Sequence, residues 1–398
     1  VETVPPPTSR RWTMLALGMF AQAAQAVFVN GVAFLIPELQ RTHGLSLAHT
    51  GLLVSAPTVG VMATLIVWGG LADRYGERAV LATGLGLTAA AGLGAALSGP
   101  LWAVGAFLLV GGMAASSANA ASGRVVVGWF PAHRRGLAMG IRQMSLPVGI
   151  ACASLTVPTL AHDHGIGWAL AVPTSLCALA ALSCAVGVVD PPRPARSAAA
   201  ELGMLDNPYR TRPALWRIHA ASALLVVPQY TVWTFALVWL VSERGWSAPS
   251  AGALITAIQV LGALGRVAAG QWSDRVGSRM RPLRAVALAG AVTMGALAAF
   301  DAADSPWSIV ALVLASIATV APNGLAFTAV AEIAGPYWSG RALGTQNTGQ
   351  FLVAAAVPPV FGALIATVGY PLAFAASALL PAAAVPVVPA DDPSRDTL

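Results

Sequence analysis

The chain has 398 residues, of which 57% are hydrophobic and only 10% are charged. A soluble domain of this length carries roughly a quarter charged residues, so most of this surface is expected to face lipid rather than water. The net charge of +6 owes nothing to lysine, since all 22 basic residues are arginine, and their placement in short gaps between apolar runs excludes a nucleic-acid surface, which needs basic patches with interleaved aromatics.

A membrane helix needs about 20 mostly apolar residues. Arg10-Arg11 followed by the apolar run from Trp12 reads as a first span over 12–36. It does not read as a removed signal peptide, because no short apolar core ends in a cleavage site. Further spans are expected at 48–69, 79–98, 101–127, 137–160, 167–189, 215–241, 249–271, 284–302, 306–331, 342–367 and 371–389, the last two separated near Pro371. Twelve spans place both termini on one side. Starting from the cytoplasm, 17 arginines, Arg395 among them, fall in inside segments or, as Arg217 and Arg284, at the inner edge of a span, and only Arg41 and Arg244 fall outside. The positive-inside rule therefore predicts an inner (plasma) membrane protein with both termini cytoplasmic. The polar stretch 190–214, rich in Pro, Arg and Ala, reads as a cytoplasmic linker between a six-helix bundle at 1–189 and another at 215–398.

Cys152, Cys177 and Cys184 lie in apolar runs without metal spacing and read as packing residues. His162-Asp163-His164 lacks a third ligand nearby, so neither a metal nor a cofactor is expected.

The two halves repeat. Gly69, Asp73, Arg74 and Gly76 recur as Gly270, Asp274, Arg275 and Gly277 at an offset of 201, and Asn119, Gly136 and Gly140 recur as Asn323, Gly340 and Gly344 at an offset of 204. Constant offsets in corresponding spans are the trace of duplicated bundles, with a substrate site expected where the repeats meet. The loop after span two reads Gly69-Gly70-Leu71-Ala72-Asp73-Arg74-Tyr75-Gly76-Glu77-Arg78, and the loop after span eight reads Gly270-Gln271-Trp272-Ser273-Asp274-Arg275-Val276-Gly277-Ser278-Arg279. Both resemble the loop signature of the major facilitator superfamily. That resemblance implies an all-α membrane fold of twelve transmembrane helices in two pseudo-symmetric six-helix bundles, in which these loops latch the halves together on the inner side. On the residues themselves, Gly69 allows close backbone approach, Asp73 can accept from the N–H groups of a helix start, and Gly76 permits a positive φ. Glu77 departs from the signature, which usually has a base there. Glu332, at a span end, is a further gating candidate.

Ionisable residues inside the membrane are functional candidates by default. Those read as lying within spans are Arg124, Arg142 and Arg266, while Glu38 and Glu332 sit at span ends and Asp73 and Asp274 in loops. Guanidinium groups without a deep acid favour an anionic substrate, since arginine grips carboxylate or phosphate bidentately. The alternatives are snorkelling to the inner surface or, for Arg124 and Arg142, pairing with Glu332. Arg266-x-x-x-Gly270 is similar to the span-eight arginine of monocarboxylate and oxalate/formate carriers. Gln22, Gln25, Asn30, Gln229, Tyr230, Gln259, Asn323, Gln346, Asn347 and Gln350 could complete the site or serve only interhelical hydrogen bonds.

No phosphate-binding loop with its lysine is present, which argues against a primary pump. No H-E-x-x-H, G-x-S-x-G or paired intramembrane acids suggest an enzyme. The expected function is secondary or facilitative transport by alternating access, with a small organic or inorganic anion as substrate, protons or a counter-anion as coupling partners, the lipid bilayer as surroundings and a monomeric chain. The alternative is a proton-driven efflux pump for drug-like molecules. The Gly-Pro-rich signature of such exporters survives only partly in Ser145-Leu146-Pro147-Val148-Gly149.

Overall fold

The computed structural model describes residues 8–44 and 47–391. Arg395, counted above on the inner side, lies outside the described residues. Lipid offers no partners for backbone N–H and C=O groups, so a chain this apolar must satisfy them within each segment, as helices do. The long helices are α1 (Ser9–His43), α2 (His49–Tyr75), α3 (Glu77–Leu97), α4 (Leu101–Trp129), α5 (Ala132–His164), α6 (Ile166–Gly187), α7 (Ala214–Ser242), α8 (Ala248–Val276), α9 (Met280–Ala302), α10 (Trp307–Ala334) and a last stretch, Ser339–Val387. That stretch is broken at Gly369, whose φ of 82° and ψ of 172° are not helical. It divides into α11 (339–368) and α12 (370–387), which makes twelve spans among the described residues, with the last break two residues before Pro371.

The helices group into two compact units. The first holds the residues up to Phe130, Met144–Asp206 and Ala334–Thr348. In it α4 packs on α1, α2 and α3, and α6 packs on α1 and α3. Helix α4 is buried without interruption from Ala114 to Val126, which explains its run of small side chains, since close packing in lipid favours Ala, Gly and Ser. The second unit holds Pro131–Gln143, Asn207–Ile333 and the residues from Gly349 on. Its core is formed by Trp239, Met294, Leu297, Leu312 and Phe374, and α10, like α4, is buried along most of its later half. The opening turns of α5 thus belong to the second unit and those of α11 to the first.

Two helices run further than hydropathy suggests. Expected to end at 69 and 271, α2 and α8 continue to Tyr75 and Val276. Asp73 and Asp274 are therefore in last helical turns, not in loops. The turns that follow use Gly76 at φ 92° and Gly277 at φ 67°, values that side-chain-bearing residues rarely adopt.

Candidate functional site

In the first unit, Asp73 is the centre of a buried ionic node. Its Oδ1 accepts from Gly340 N at 2.8 Å and its Oδ2 from Arg341 N at 3.0 Å. Both donors lie in the first turn of α11, where N–H groups have no intrahelical partner and a carboxylate is favoured by the helix dipole. Arg341 Nε adds a third bond at 3.1 Å. The approach depends on glycine on both helices, because a Cβ on Gly69 would collide with the Gly340 carbonyl and one on Gly340 with the Gly69 carbonyl. Beneath this contact, Arg124 Nη1 bonds to Asp73, and Arg124 Nε donates to Glu77 Oε1 at 2.8 Å. The three side chains are only 1–2% exposed.

The second unit repeats the plan. Asp274 accepts from Gly136 N at 2.9 Å and Leu137 N at 2.8 Å, and a Cβ on Gly270 would strike the Gly136 carbonyl. These donors sit in the second turn of α5, where carbonyls one turn earlier can also accept from them. Arg279 Nη1 donates to Asp274 Oδ1 at 2.7 Å, and its Nε and Nη2 donate to Glu332, each at 3.2 Å. Arg135 reaches Glu332 at 3.4 Å. Burial works against the Arg279 charge, but Glu332 and Asp274 outweigh it and hold the guanidinium above its ordinary range. Arg74 and Arg275 are exposed; Arg74 lies against the Tyr75 ring at 5.2 Å.

Arg142 and Arg266 meet elsewhere in the second unit. Arg142 Nη1 donates to Gln143 Oε1 at 2.7 Å, and Arg266 Nη1 donates to the Gln143 carbonyl at 3.1 Å. Arg266 Nε also reaches the Val320 carbonyl at 3.4 Å. Each guanidinium lies 6.0 Å from an aromatic centroid, that of Phe327 for Arg142 and that of Trp233 for Arg266, near the limit at which a ring still attracts a cation. Both arginines are buried, at 3% and 5% exposure. Among the described residues no carboxylate lies within ion-pair distance of Arg266; Tyr230 is its electrostatic neighbour, and the Tyr230 ring leans on Trp233 at 5.4 Å.

The amides form two local networks. Gln22 Nε2 donates to Asn119 Oδ1 at 2.7 Å and to Gln25 Oε1 at 3.1 Å in the first unit. Asn323 Nδ2 donates to Gln229 Oε1 at 3.0 Å in the second, and Gln350 Nε2 donates to Asn323 Oδ1 at 3.3 Å. Each unit thus links its first and fourth helices by a Gln–Asn pair. Asn30 and Asn347 bond back to carbonyls of their own helices, those of Ala26 and Leu343. Gln346 is buried and Gln259 is half-buried.

Three expectations change. Two acids at helix ends are buried, Asp73 and Glu77 being 5% and 0% exposed. Arg124 belongs to the first unit and has Asp73 and Glu77 as its ionic partners there. Glu332 takes Arg135 and Arg279 as its ionic partners, whereas hydropathy reading paired it with Arg124 or Arg142. Gln143, Trp233, Phe327, Arg193 and Arg341 were not singled out from the sequence. Arg279 could have been, since it recurs from Arg78 at the same offset of 201.

A long-helix membrane protein built on a duplicated bundle, with matched nodes at the ends of α2 and α8, defines the class. Residues 17–358 match the family model of the Major Facilitator Superfamily. The chain belongs to that superfamily and is a multi-pass membrane transporter with its fold of two helix bundles. It is 52% identical over 379 residues to an uncharacterized MFS-type transporter of Mycobacterium tuberculosis, covering 95% of this chain and 85% of the relative. It is 27% identical to a probable sulfoacetate transporter of Cupriavidus necator, covering 86% and 85%, and 25% identical to a probable nitrate/nitrite transporter of Mycobacterium tuberculosis, covering 76% of each. Among solved structures, a human organic anion transporter superposes with a TM-score of 0.76 at 18% identity, covering 96% and 100%. The proton:xylose symporter XylE does so with 0.73 at 16%, covering 96% of each.

Proposed function

We propose that this transporter is a secondary carrier that moves a small organic or inorganic anion by alternating access across the bacterial plasma membrane, with both termini in the cytoplasm. The observation that carries the reading is the convergence of two buried guanidinium groups on Gln143, with no carboxylate among the described residues in ion-pair range of Arg266. A buried cation in weakly polarisable surroundings is costly unless paired, and an anionic ligand would supply the missing charge at Arg266. Arg266 and Arg142 are the binding residues. Tyr230 and the Gln229–Asn323–Gln350 amides line the same unit and would orient the ligand. Arg124 belongs with the gate, together with Asp73, Glu77, Asp274, Arg279 and Glu332. Two sequence relatives are named as probable carriers of sulfoacetate and of nitrate or nitrite, which are anions. The halves 1–189 and 215–398, joined by 190–214, are the bodies that would move.

The test is a thermal-shift screen of the purified protein against carboxylates, sulfonates, nitrate, phosphate and bulky cationic drugs, followed by flux in proteoliposomes. A ligand that binds the folded state raises its stability with concentration. An anion is expected to stabilise the protein. Arg266→Lys should weaken that binding although the charge remains, because the planar fork is lost. Arg266→Ala should weaken it further, by about 1.5–3 kcal/mol for one charge-assisted hydrogen bond. Transport of bulky cations that survives replacement of both Arg142 and Arg266 would overturn the anion reading in favour of drug export.

A further inference from the structure

The segment between the halves is docked on the Asp73 node along much of its length. Arg193 Nη2 donates to Glu77 Oε2 at 2.8 Å, and its Nη1 donates to the Asp73 carbonyl at 3.1 Å. Glu77 is therefore shared, with Arg124 on one oxygen and Arg193 on the other. The Asp73 carbonyl lies in the last turn of α2, where C=O groups lack helical partners and a cation is favoured. Just before Arg193, Asp190 Oδ1 accepts from Arg78 N at 2.8 Å, and the Val189 carbonyl accepts from Trp129 Nε1 at 3.0 Å. Just after it, the Pro194 carbonyl accepts from Tyr337 Oη at 2.5 Å, and the Leu205 carbonyl accepts from Trp338 Nε1 at 3.0 Å. A short helix, Arg196–Glu201, lies between these two anchors and buries Ala199 completely.

Tyr337 and Trp338 immediately precede Ser339, which begins α11, and Gly340 and Arg341 are the donors that Asp73 holds. The linker and Asp73 thus grip the same five-residue stretch of chain, Tyr337 to Arg341, from two directions. They are joined to each other through Arg193.

We propose that Arg193 is a positioning residue of the Asp73 gate, and that residues 190–206 are a strap that holds the start of α11 closed on Asp73. A tether of this composition is expected to be a semi-rigid spacer with no fixed partners. Here it carries a charge into the node and fastens both ends of its own helix to the lead-in of α11. Release of Gly340 and Arg341 from Asp73 then also requires Tyr337 to leave Pro194 and Trp338 to leave Leu205. The inference rests on Asp73 acting as a state-dependent latch.

Amide hydrogen exchange followed by mass spectrometry on the full chain in lipid nanodiscs tests it, because exchange reports local opening segment by segment. In the wild type, 196–205 is expected to exchange as slowly as a packed helix. Arg193→Gln removes the second cation from Glu77 and should speed exchange about tenfold, the equivalent of one charge-assisted bond, in 196–205 and also in 339–348. Arg193→Lys should restore most of the protection at 339–348. Tyr337→Phe removes one hydroxyl, whose partner is the Pro194 carbonyl, and leaves the buried ion pairs in place, so it should fold normally and speed both segments severalfold. Wild-type linker exchanging like unstructured chain overturns the proposal. So does acceleration confined to 190–206 with 339–348 unchanged, which is what mere packing would give. Asp73→Asn serves as the reference. If it leaves 339–348 protected, the latch itself fails; if it opens 339–348 while Arg193→Gln and Tyr337→Phe do not, the strap alone fails.

Discussion

The Asp73 and Asp274 nodes share a backbone plan and differ in the ions that support it. In each, a carboxylate in the last turn of one helix accepts from two successive N–H groups beside a glycine-to-glycine contact. The order of the supporting charges is inverted. Directly after Gly76 comes the acid Glu77, answered by the base Arg124 on α4; after Gly277 and Ser278 comes Arg279, the counterpart of Arg78, answered by the acid Glu332 on α10. Burial differs as well. Arg124 and its partners are 1–2% exposed, whereas Arg279 and Glu332 are 12% and 22% exposed. Duplication has kept the hydrogen-bond geometry and the small residues while the ionic supports were free to exchange sign. What the plan requires is local neutrality around an aspartate, not a particular residue at the next position.

The largest expected effect separates the nodes by burial. Arg124→Ala takes from Asp73 and Glu77 the one fully buried cation they share and leaves them only the more exposed Arg341 and Arg193. Breaking a buried pair from one side costs about 3–5 kcal/mol. Arg279→Ala disturbs a less completely buried node, with Arg279 and Glu332 12% and 22% exposed, and is expected to cost less. Thermal unfolding in detergent, read by loss of helical circular dichroism, should therefore place the Arg124→Ala midpoint well below that of Arg279→Ala. Adding Glu77→Gln to Arg124→Ala should recover part of the loss, because the two residues interact directly and their effects are not additive. Equal midpoints for the two single variants would show that burial is not what divides the nodes.

The next effect concerns rate. Asp73→Asn turns an acceptor oxygen into a donor that faces the N–H groups of α11. Losing one charge-assisted bond costs about 1.5–3 kcal/mol, and each 1.4 kcal/mol is about tenfold. Turnover of the anion found in the ligand screen is expected to fall about tenfold or more in Asp73→Asn. Its binding should stay close to wild type, since Asp73 bonds to neither Arg142 nor Arg266. Asp274→Asn should lose less, because Gly136 and Leu137 lie in a second helical turn and keep other acceptors. Matched losses in proteoliposome flux would remove the distinction.

Much of this was readable in the sequence, and the failures share a cause. Span number followed from run length, and the break between α11 and α12 was visible from Pro371. The latch was legible because Gly69, Asp73, Gly136 and Gly340 recur at fixed offsets. Hydropathy, however, ends the second and eighth spans at 69 and 271, short of the charged motif. That placed Asp73 in a loop and hid the acid beneath Arg124, although α2 runs on for two further residues. Glu77 looked like a defect in a signature because its partners Arg124 and Arg193 are 47 and 116 residues away, a separation that carries no local pattern. The Gln22–Asn119 and Gln229–Asn323 pairs were half visible. The asparagines keep the offset of 204 while the glutamines sit at 207, so the repeat is lost in sequence and regained only where the side chains meet. Gln143 carries no signal of its own; its importance lies in two arginines bonding to it.

The smallest expected difference tests the shared half of the plan. Gly69→Ala would drive a methyl group into the Gly340 backbone, and Gly270→Ala would drive one into that of Gly136. In both cases the obstacle is main chain, which cannot rotate aside as a side chain could. Overpacking of this kind costs about 1–3 kcal/mol. Charge plays no part in it, so the burial and sign differences that separate Arg124 from Arg279 should not appear. The two alanine variants are expected to lower the thermal midpoint by similar amounts and to lengthen the same contact in each node. Gly70 is the internal control, since a Cβ there meets only the flexible Arg341 side chain at 3.6 Å, an ordinary van der Waals distance. Gly70→Ala should leave the midpoint within about 0.5 kcal/mol of wild type, as substitutions away from tight contacts usually do. A Gly270→Ala variant as mild as Gly70→Ala beside a damaging Gly69→Ala would mean that the second node tolerates separation of its helices. The nodes would then differ in their backbone as well as in their ions, and duplication would have preserved the motif at α8 without the close contact that makes it a latch at α2.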